Sequence, residues 1–376
     1  MRGVSYRGVP GGAPTALWVV PVADLGGVAR HVLDVAAVGL PRTRLVVLCP
    51  PGPLAERLRR AGAAVLVEDL GPEHGLAASV SALRHAVATL RPAVVHTHLA
   101  YADLVAALAV PPTWPVRLVS TEHGIAAPGH DAVYHGTGAR GRAVSRLMAA
   151  AHAARCRRYD ALIAVSRATA QAVRDTWHPR RPVVVVPNGV DAPGPDARVP
   201  GRVPGLRVLS LARLAPEKRV TELLAGFSVL HRDHPRATLT VAGTGPQEAA
   251  LHRAARSLGL EEAVTFPGYL DAATALAGHD VLAQLSVWEN CSYALLDALA
   301  AGLGVVATPV GGNPEILPVR CLVEADDVRR VAAALHTQGT SLDERPHLPA
   351  GWPSRAETAA AVVDVYRDAW SGRWQA

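Results

Sequence analysis

The chain contains almost no lysine and few aromatic residues. Of its 38 basic residues, 37 are arginine and one is lysine, Lys218. Aromatic residues make up 4% of the 376 residues, which leaves few stacking surfaces for nucleic-acid bases. The basic residues that give the net charge of +6 are spread along the chain. The charge therefore suits small anionic ligands such as nucleotide phosphates as well as nucleic acid, and we predict no nucleic-acid partner.

Membrane spans and cysteine cross-links are also missing from the sequence. No apolar run reaches the 18 or so residues that a membrane helix needs, so we predict no membrane span. Residues 1–15 lack a long apolar stretch and are interpreted as a loose leader, not a signal peptide. The four cysteines are scattered singly, without a C-x-x-C pair. This argues against a disulfide framework or a cysteine zinc site and indicates a cytoplasmic location.

Short apolar runs alternate with helical stretches through the first half of the chain. Strands are predicted at residues 16–22, 45–49, 64–67, 93–96, 117–121, 161–165 and 183–186. Helices are predicted at residues 26–39, 54–61, 76–90 and 166–174. Such alternation indicates a parallel sheet with helices on both faces.

A segment rich in proline and glycine, residues 192–205, interrupts this alternation and is interpreted as a linker. Further strands are then predicted at residues 206–211, 237–242, 263–266, 281–285 and 304–307, with helices between them and a last helix at 354–370. The fold class is therefore α/β, with two Rossmann-like, doubly wound parallel-sheet domains facing a cleft. The predicted divisions are 1–191, the linker 192–205, 206–353, and a C-terminal helix in 354–376 expected to pack back on the first domain.

Glycine and histidine residues follow the strands of the first domain. Gly26 and Gly27 open a helix, where backbone N–H groups can approach a phosphate or sugar, although a plain βα turn is an equal alternative. They lack G-x-G-x-x-G spacing, which disfavours a nicotinamide dehydrogenase. His123 is interpreted as a sugar or transition-state contact. A structural role is favoured for His96 and His98, with His98 kept as an acceptor-binding candidate. No carboxylate–histidine spacing of a zinc helix accompanies them, so no metal site is predicted.

Two cations follow the first strand of the second domain. Arg213 and Lys218 lie five residues apart, so a guanidinium and a compact ammonium can converge on one diphosphate, with a solvated charge run as the alternative. Gly243 lies in a G-T-G-P turn that suits an anion or a ribose. Gly268 and Tyr269 follow another strand and suit backbone contact with a flat base.

The segment 287–317 has the highest density of candidate residues. Glu289 lies in a loop after a predicted strand, and Asp297 lies one turn inside the helix that follows. The N–H groups at that helix start can bind an anion or sugar hydroxyls. The further donor-binding candidates there are Asn290, Cys291, Ser292 and Tyr293.

These motifs together resemble the family-4 retaining glycosyltransferases of the GT-B fold. The resemblance rests on Arg213 and Lys218, on the acidic pair Glu289 and Asp297, and on the order of the glycine and E-H-G motifs over residues 16–370. The family pattern is Glu, seven residues, Glu, so Asp297 departs from it by one methylene. The resemblance implies that Glu289 contacts donor-sugar hydroxyls and that the second acid contacts the nucleotide ribose.

The resemblance further implies transfer of a sugar from a nucleotide-diphosphate donor to a hydroxyl of a small-molecule acceptor, in specialised-metabolite or glycoconjugate biosynthesis. The anomeric configuration would be retained, with neither a cofactor nor a metal. Arg213 and Lys218 would stabilise the departing diphosphate, and Glu289 and His123 would complete the catalytic set. The acceptor would lie in the N-terminal domain and the nucleotide sugar in the C-terminal domain.

The acceptor candidates, besides His98, are His130, Tyr134 and His135, in a glycine-rich segment interpreted as a flexible lid. The arginines that follow permit a peripheral membrane contact, although a buried helix with a basic outer face is favoured. Two alternatives to a transferase stay open. One is a sugar-nucleotide 2-epimerase, and the other is a non-catalytic partner subunit with a degenerate site, which Asp297 keeps in consideration.

Overall fold

The computed structural model describes residues 12–125, 139–191 and 204–371. The chain forms two compact units. The first is Met1–Gly189 together with Pro353–Ala376, and the second is Val190–Trp352. Within the described residues, no helix is both long enough and apolar enough to cross a bilayer.

The first unit is built on a seven-stranded parallel sheet in the order β3-β2-β1-β4-β5-β6-β7. Its strands are β1 Thr15–Val19, β2 Arg44–Cys49, β3 Val65–Val67, β4 Val94–His98, β5 Arg117–Glu122, β6 Ala161–Ala164 and β7 Val183–Val185. The helices between them are α1 Gly27–Val38, α2 Pro53–Arg60, α3 Leu76–Leu90, α4 Ala100–Ala109, α5 Ala139–Cys156 and α6 Arg167–Trp177. Two apolar clusters bury the central strands, as expected for a parallel sheet covered on both faces.

The second unit repeats this plan with a five-stranded parallel sheet in the order β10-β9-β8-β11-β12. Its strands are β8 Arg207–Leu211, β9 Thr238–Ala242, β10 Val264–Gly268, β11 Val281–Gln284 and β12 Gly304–Ala307. Its helices are α7 Val220–Asp233, α8 Glu248–Ser257, α9 Ala272–Ala277, α10 Tyr293–Ala300, α11 Asn313–Ile316 and α12 Val328–Thr340. One apolar cluster forms its core.

The last helix, α13 Arg355–Ser371, is part of the first unit. Trp18 in β1 donates its indole N–H to the hydroxyl of Tyr366 on α13 over 2.8 Å. The Thr358 hydroxyl donates to the carbonyl of Pro187 over 3.0 Å. Trp18 and Tyr366 are both fully buried, so these contacts fix α13 on the sheet.

The expected α/β class and the two Rossmann-like parallel sheets are confirmed, with differences at single elements. The first strand ends at Val19 and not at residue 22, because Pro21 has no N–H to continue the ladder. Strand β10 continues through Pro267 to Gly268 across a register shift. Helix α4 was not predicted, because Leu99 at its N-cap provides no capping side chain. Most of the predicted linker, residues 192–203, lies outside the described residues.

Candidate active site

The lysine and the first acid of the predicted diphosphate and sugar site are in direct contact. Lys218 closes a 3-10 turn, Pro216–Lys218, and Glu289 lies in the loop after β11. The distance from Lys218 Nζ to Glu289 Oε1 is 2.5 Å, and the two side chains are 21% and 13% exposed. A hydrogen bond between opposite charges is charge-assisted and is stronger than a neutral one. The two candidates therefore form one half-buried ionic centre.

Neighbouring groups fix the position of Glu289. The Ser286 hydroxyl donates to Glu289 Oε1 over 2.7 Å, so this oxygen accepts two hydrogen bonds. The Glu289 carbonyl accepts the backbone N–H of Gly312 over 2.9 Å. Gly311 has φ +52°, and a Cβ at that position would overlap the Glu289 carbonyl. The sequence motif therefore needs glycine at 311 for close backbone approach to the acid.

Arg213 forms an ion pair with Glu217, and its side chain is 64% exposed. The Glu217 carbonyl accepts the backbone N–H of Val287 over 2.8 Å, which ties the turn carrying Lys218 to the loop carrying Glu289. Neither Glu217 nor Ser286 could be selected from the sequence, because a residue that only holds another side chain has no pattern of its own. Convergence of Arg213 and Lys218 on one diphosphate remains a prediction.

Close packing against the backbone of the second unit explains the two glycines of the G-T-G-P turn. Gly243 has φ +142°, and a Cβ on it would overlap the carbonyl oxygen of Ala212. Gly245 packs in the same way against the carbonyl of Leu214. The backbone N–H of Leu214 donates to the carbonyl of Thr244 over 2.9 Å. The turn therefore lies against the backbone on both sides of Arg213 and supports it. A contact of Gly243 with an anion or ribose stays a prediction.

Helix α10 begins at the predicted anion-binding segment. The Ser292 hydroxyl is the N-cap and accepts the backbone N–H of Leu295, while Gln284 Nε2 donates to it over 3.0 Å. Cys291 is 9% exposed, and Asp297 is half-buried on α10, as expected from the sequence. The capping role of Ser292 orders the start of the helix, where backbone N–H groups concentrate.

Other donor-binding candidates of the second unit have these positions. Tyr293 is the first residue of α10, and Asn290 Oδ1 accepts the indole N–H of Trp288 over 3.2 Å. Gly268 has φ +75°, and its carbonyl accepts the backbone N–H of Gly243 over 2.8 Å. Tyr269 is 58% exposed, so its ring is available to a ligand.

In the first unit the strand-end histidines form a cluster. His98 ends β4 and His123 follows β5, and His98 Nδ1 lies 2.9 Å from His123 Nε2. Burial lowers the pKa of both residues well below the usual value, so both imidazoles are neutral at physiological pH. His98 is fully buried whereas His123 is partly exposed, so of the two His123 is placed to touch a ligand directly.

His96 and His31 complete the surroundings of this cluster. His96 is buried, with its two nitrogens 2.6 Å from the Tyr366 hydroxyl and 2.7 Å from the Thr121 hydroxyl, which is the structural role expected for it. His31, on α1, was missed by the sequence interpretation. The sequence feature that could have identified it is a histidine on the apolar, buried face of the helix, four residues after Gly27.

Packing against the described residues does not explain the glycine pair at the start of α1. A Cβ on Gly26 or on Gly27 would meet no atom within 4 Å, and the N-cap Gly26 has an extended φ of −150°. Neither space nor backbone conformation therefore requires glycine at these two positions. An uncovered helix start of this kind suits close approach by a ligand, as the sequence predicts.

A buried charge network lies directly before His123. The Arg155 guanidinium contacts Asp103 and lies 2.9 Å from Glu122 Oε1, and all three side chains are buried. The Ser120 hydroxyl donates to Asp103 over 3.0 Å. Burial raises the pKa of Glu122 to about 8. Because one guanidinium faces two buried carboxyl groups, we assign a proton to Glu122 at neutral pH.

The candidates fall into two groups. Those of the first unit are Gly26, Gly27, His98 and His123, and those of the second are Arg213, Lys218, Gly243, Gly268, Tyr269, Glu289, Asn290, Cys291, Ser292, Tyr293 and Asp297. His130, Tyr134 and His135 lie outside the described residues.

Comparison with known proteins decides the family. The model of "Glycosyltransferase Family 4" matches residues 25–192, and that of "Glycosyl transferases group 1" matches residues 205–338. A glycogen synthase of Mycobacterium tuberculosis is 30% identical over 332 residues, which cover 79% of this chain and 78% of that protein. The chain belongs to the family-4 glycosyltransferases of the GT-B fold.

One further relative and one solved structure extend the comparison of this glycosyltransferase. A GDP-mannose-dependent phosphatidylinositol monomannoside mannosyltransferase of Mycolicibacterium smegmatis is 33% identical over 199 residues, which cover 47% of this chain and 52% of that protein. The crystal structure of Anabaena Alr3699/HepE in complex with UDP and glucose aligns with a TM-score of 0.72 and 19% identity, covering 96% of this chain and all of that one. The latter likeness supports the fold alone.

Proposed function

We propose that this glycosyltransferase moves a sugar from a nucleotide-diphosphate donor to a hydroxyl of a small-molecule acceptor, with retention of the anomeric configuration. The observation that carries the proposal is the half-buried contact between Lys218 and Glu289 in the second unit. Relatives named as a glycogen synthase and a GDP-mannose-dependent mannosyltransferase support an activated sugar as the substrate.

Lys218 is suited to the leaving diphosphate. Its ammonium carries three N–H donors, and the hydrogen bond to Glu289 uses one of them. The two others can bind phosphate oxygens while the first keeps Glu289 in place. Arg213, which is mostly exposed, can leave Glu217 to add a second positive charge. The charge that develops as the sugar–phosphate bond breaks is thus neutralised by the protein, and no divalent metal is invoked.

Glu289 is suited to the donor sugar. Oε1 is occupied by Lys218 and Ser286, which orient the carboxylate so that its second oxygen can accept a sugar hydroxyl. Asp297 would accept from the ribose hydroxyls, and its shorter side chain requires a closer approach than a glutamate. In the first unit, His123 is the candidate for the transferred sugar, and the acceptor is assigned to that unit. A departing phosphate oxygen takes the acceptor proton, so no enzymic nucleophile is required.

The experiment is a donor screen followed by a turnover assay. UDP-, GDP- and dTDP-sugars are tested for thermal stabilisation of the purified protein, since a ligand that binds only the folded state raises the melting temperature. The stabilising donor is then incubated with pools of hydroxylated acceptors, and nucleoside diphosphate and glycosylated product are measured together. We expect product and diphosphate in equal amounts.

Other outcomes would contradict the proposal. A free epimerised sugar nucleotide formed without any acceptor would identify a 2-epimerase. Donor binding without diphosphate release in any acceptor pool would identify a non-catalytic subunit. If no nucleotide sugar stabilises the chain, the donor assignment is wrong.

A further inference from the structure

Three histidines of the first unit surround one point although they come from distant parts of the sequence. They are His31 on α1, His98 at the end of β4 and His123 after β5. Taking one nitrogen from each ring, the three nitrogens lie within 4.8 Å of one another. We propose that these three imidazoles bind one transition-metal ion of the zinc class.

The ring positions agree with such a site. A zinc ion bonded to imidazole at about 2.0–2.1 Å lies about 3.2 Å from each ring centre, which sets tetrahedrally placed ring centres about 5.2 Å apart. The observed centre-to-centre distances are 5.6 Å for His31 and His98, 4.9 Å for His31 and His123, and 5.2 Å for His98 and His123. The ring centres therefore stand at the spacing that three ligands need, and a bound ion would replace the present contact of His98 Nδ1 with His123 Nε2 at 2.9 Å.

The chemistry of the cluster supports the same conclusion. His98 is fully buried, and its Nε2 has no hydrogen-bond partner within the described part of the chain. Such an atom is costly to bury unless another group satisfies it. Asn188 is a hydrogen-bond partner of His31, and a hydrogen bond to a ligating imidazole orients its ring.

The ligand set indicates the class of metal. Imidazole suits zinc, copper, iron and nickel, whereas magnesium and calcium prefer oxygen ligands. His123 is partly exposed, so an ion held by three histidines keeps a fourth position that water can occupy. This site does not depend on the proposed transfer reaction, and it is distinct from the diphosphate chemistry assigned to Lys218. A bound ion would, however, withdraw His123 from any contact with sugar.

The test is metal binding by the full chain, measured without turnover. The metal-free protein is titrated with Zn²⁺ by calorimetry and with Co²⁺ by visible absorption, which reports coordination geometry. We expect one ion per chain. Substitution of His31, His98 or His123 by Gln should each weaken binding by about 100-fold or more, because even loss of an outer-shell partner commonly costs about 10–100-fold. His85→Gln removes an exposed histidine on α3 and serves as the matched control with unchanged affinity.

Folding of each variant is checked by its melting curve. X-ray absorption of the zinc-loaded wild type adds a measurement that needs no variant, and it should show three imidazole ligands. No stoichiometric Zn²⁺ binding by the wild type would overturn the proposal. So would full affinity in a folded His31→Gln or His123→Gln variant, or a spectrum with fewer than three imidazoles, since the ion would then lie elsewhere.

Discussion

The protonated state of Glu122 can be tested through the pH dependence of stability. Burial raises the pKa of this carboxyl from the ordinary 4.5 to about 8, so the folded chain holds a proton there that the unfolded chain releases above about pH 4.5. The contribution of this proton to the free energy of unfolding is fully present below pH 4.5 and is lost as the pH rises through 8. Since each pKa unit corresponds to about 1.4 kcal/mol, the difference between pH 5 and pH 9 is roughly 3–5 kcal/mol.

Glu122→Gln replaces the protonated acid with an uncharged group of the same shape and cannot titrate. As the pH rises from 5 to 9, the melting temperature of the variant should increase relative to that of the wild type by on the order of 10 °C. This follows because 1 kcal/mol shifts the melting temperature of a domain of this size by roughly 2–4 °C. The assay is thermal unfolding by circular dichroism across this range. Glu56→Gln, at an exposed acid on α2, is the matched control and should follow the wild type. Parallel melting profiles for wild type and Glu122→Gln would show that Glu122 is ionised and that the charge assignment is wrong.

The remaining predictions concern the proposed transfer. Asp297→Ala should raise the donor KM with a smaller change in kcat, because a ribose contact is kept equally in ground and transition states, and loss of binding should be about 1–3 kcal/mol. Glu289→Gln should mainly lower kcat, because it loses the charge paired with Lys218. If steady-state kinetics showed that Asp297→Ala and Glu289→Gln both change only KM, and by equal factors, this division of roles would be refuted. Treatment with EDTA should not reduce transfer, because removing an ion from the three histidines would only free His123 for the sugar; complete loss restored by Mg²⁺ or Mn²⁺ would contradict metal-independent chemistry. Hydrolysis of an α-linked donor, followed by proton NMR, should first release the α-anomer, and initial β-anomer would exclude retention.

Elements with a strong local pattern could be predicted from the sequence, whereas elements fixed by tertiary contacts could not. The buried strands have an apolar pattern, and the helix predicted at residues 166–174 starts at a serine, a residue type that caps helices. The Ser166 hydroxyl accepts the N–H of Thr169. Helix α4 begins at Leu99 with φ +75° and no capping side chain, so its start has no local signal.

The candidate site shows the same division. Lys218 and Glu289 could be selected because charged residues at strand ends form a recognisable pattern, and the structure brings them into contact. Ser286 was missed because its role exists only through the side chain that it holds. His31 was missed because it meets His98 and His123 only after α1 packs on the sheet, and its sequence neighbourhood is that of an ordinary amphipathic helix.

The reaction at the Lys218–Glu289 centre is tested most directly by the rate of nucleoside diphosphate release at saturating donor and acceptor. Lys218→Ala should reduce kcat by about a hundredfold or more, as removal of one transition-state donor does. Lys218→Arg should restore only part of this rate, because a planar guanidinium cannot take the place of an ammonium seated 2.5 Å from Glu289 Oε1. A folded Lys218→Ala variant that releases diphosphate at a near-normal rate would contradict the assignment of this centre to catalysis.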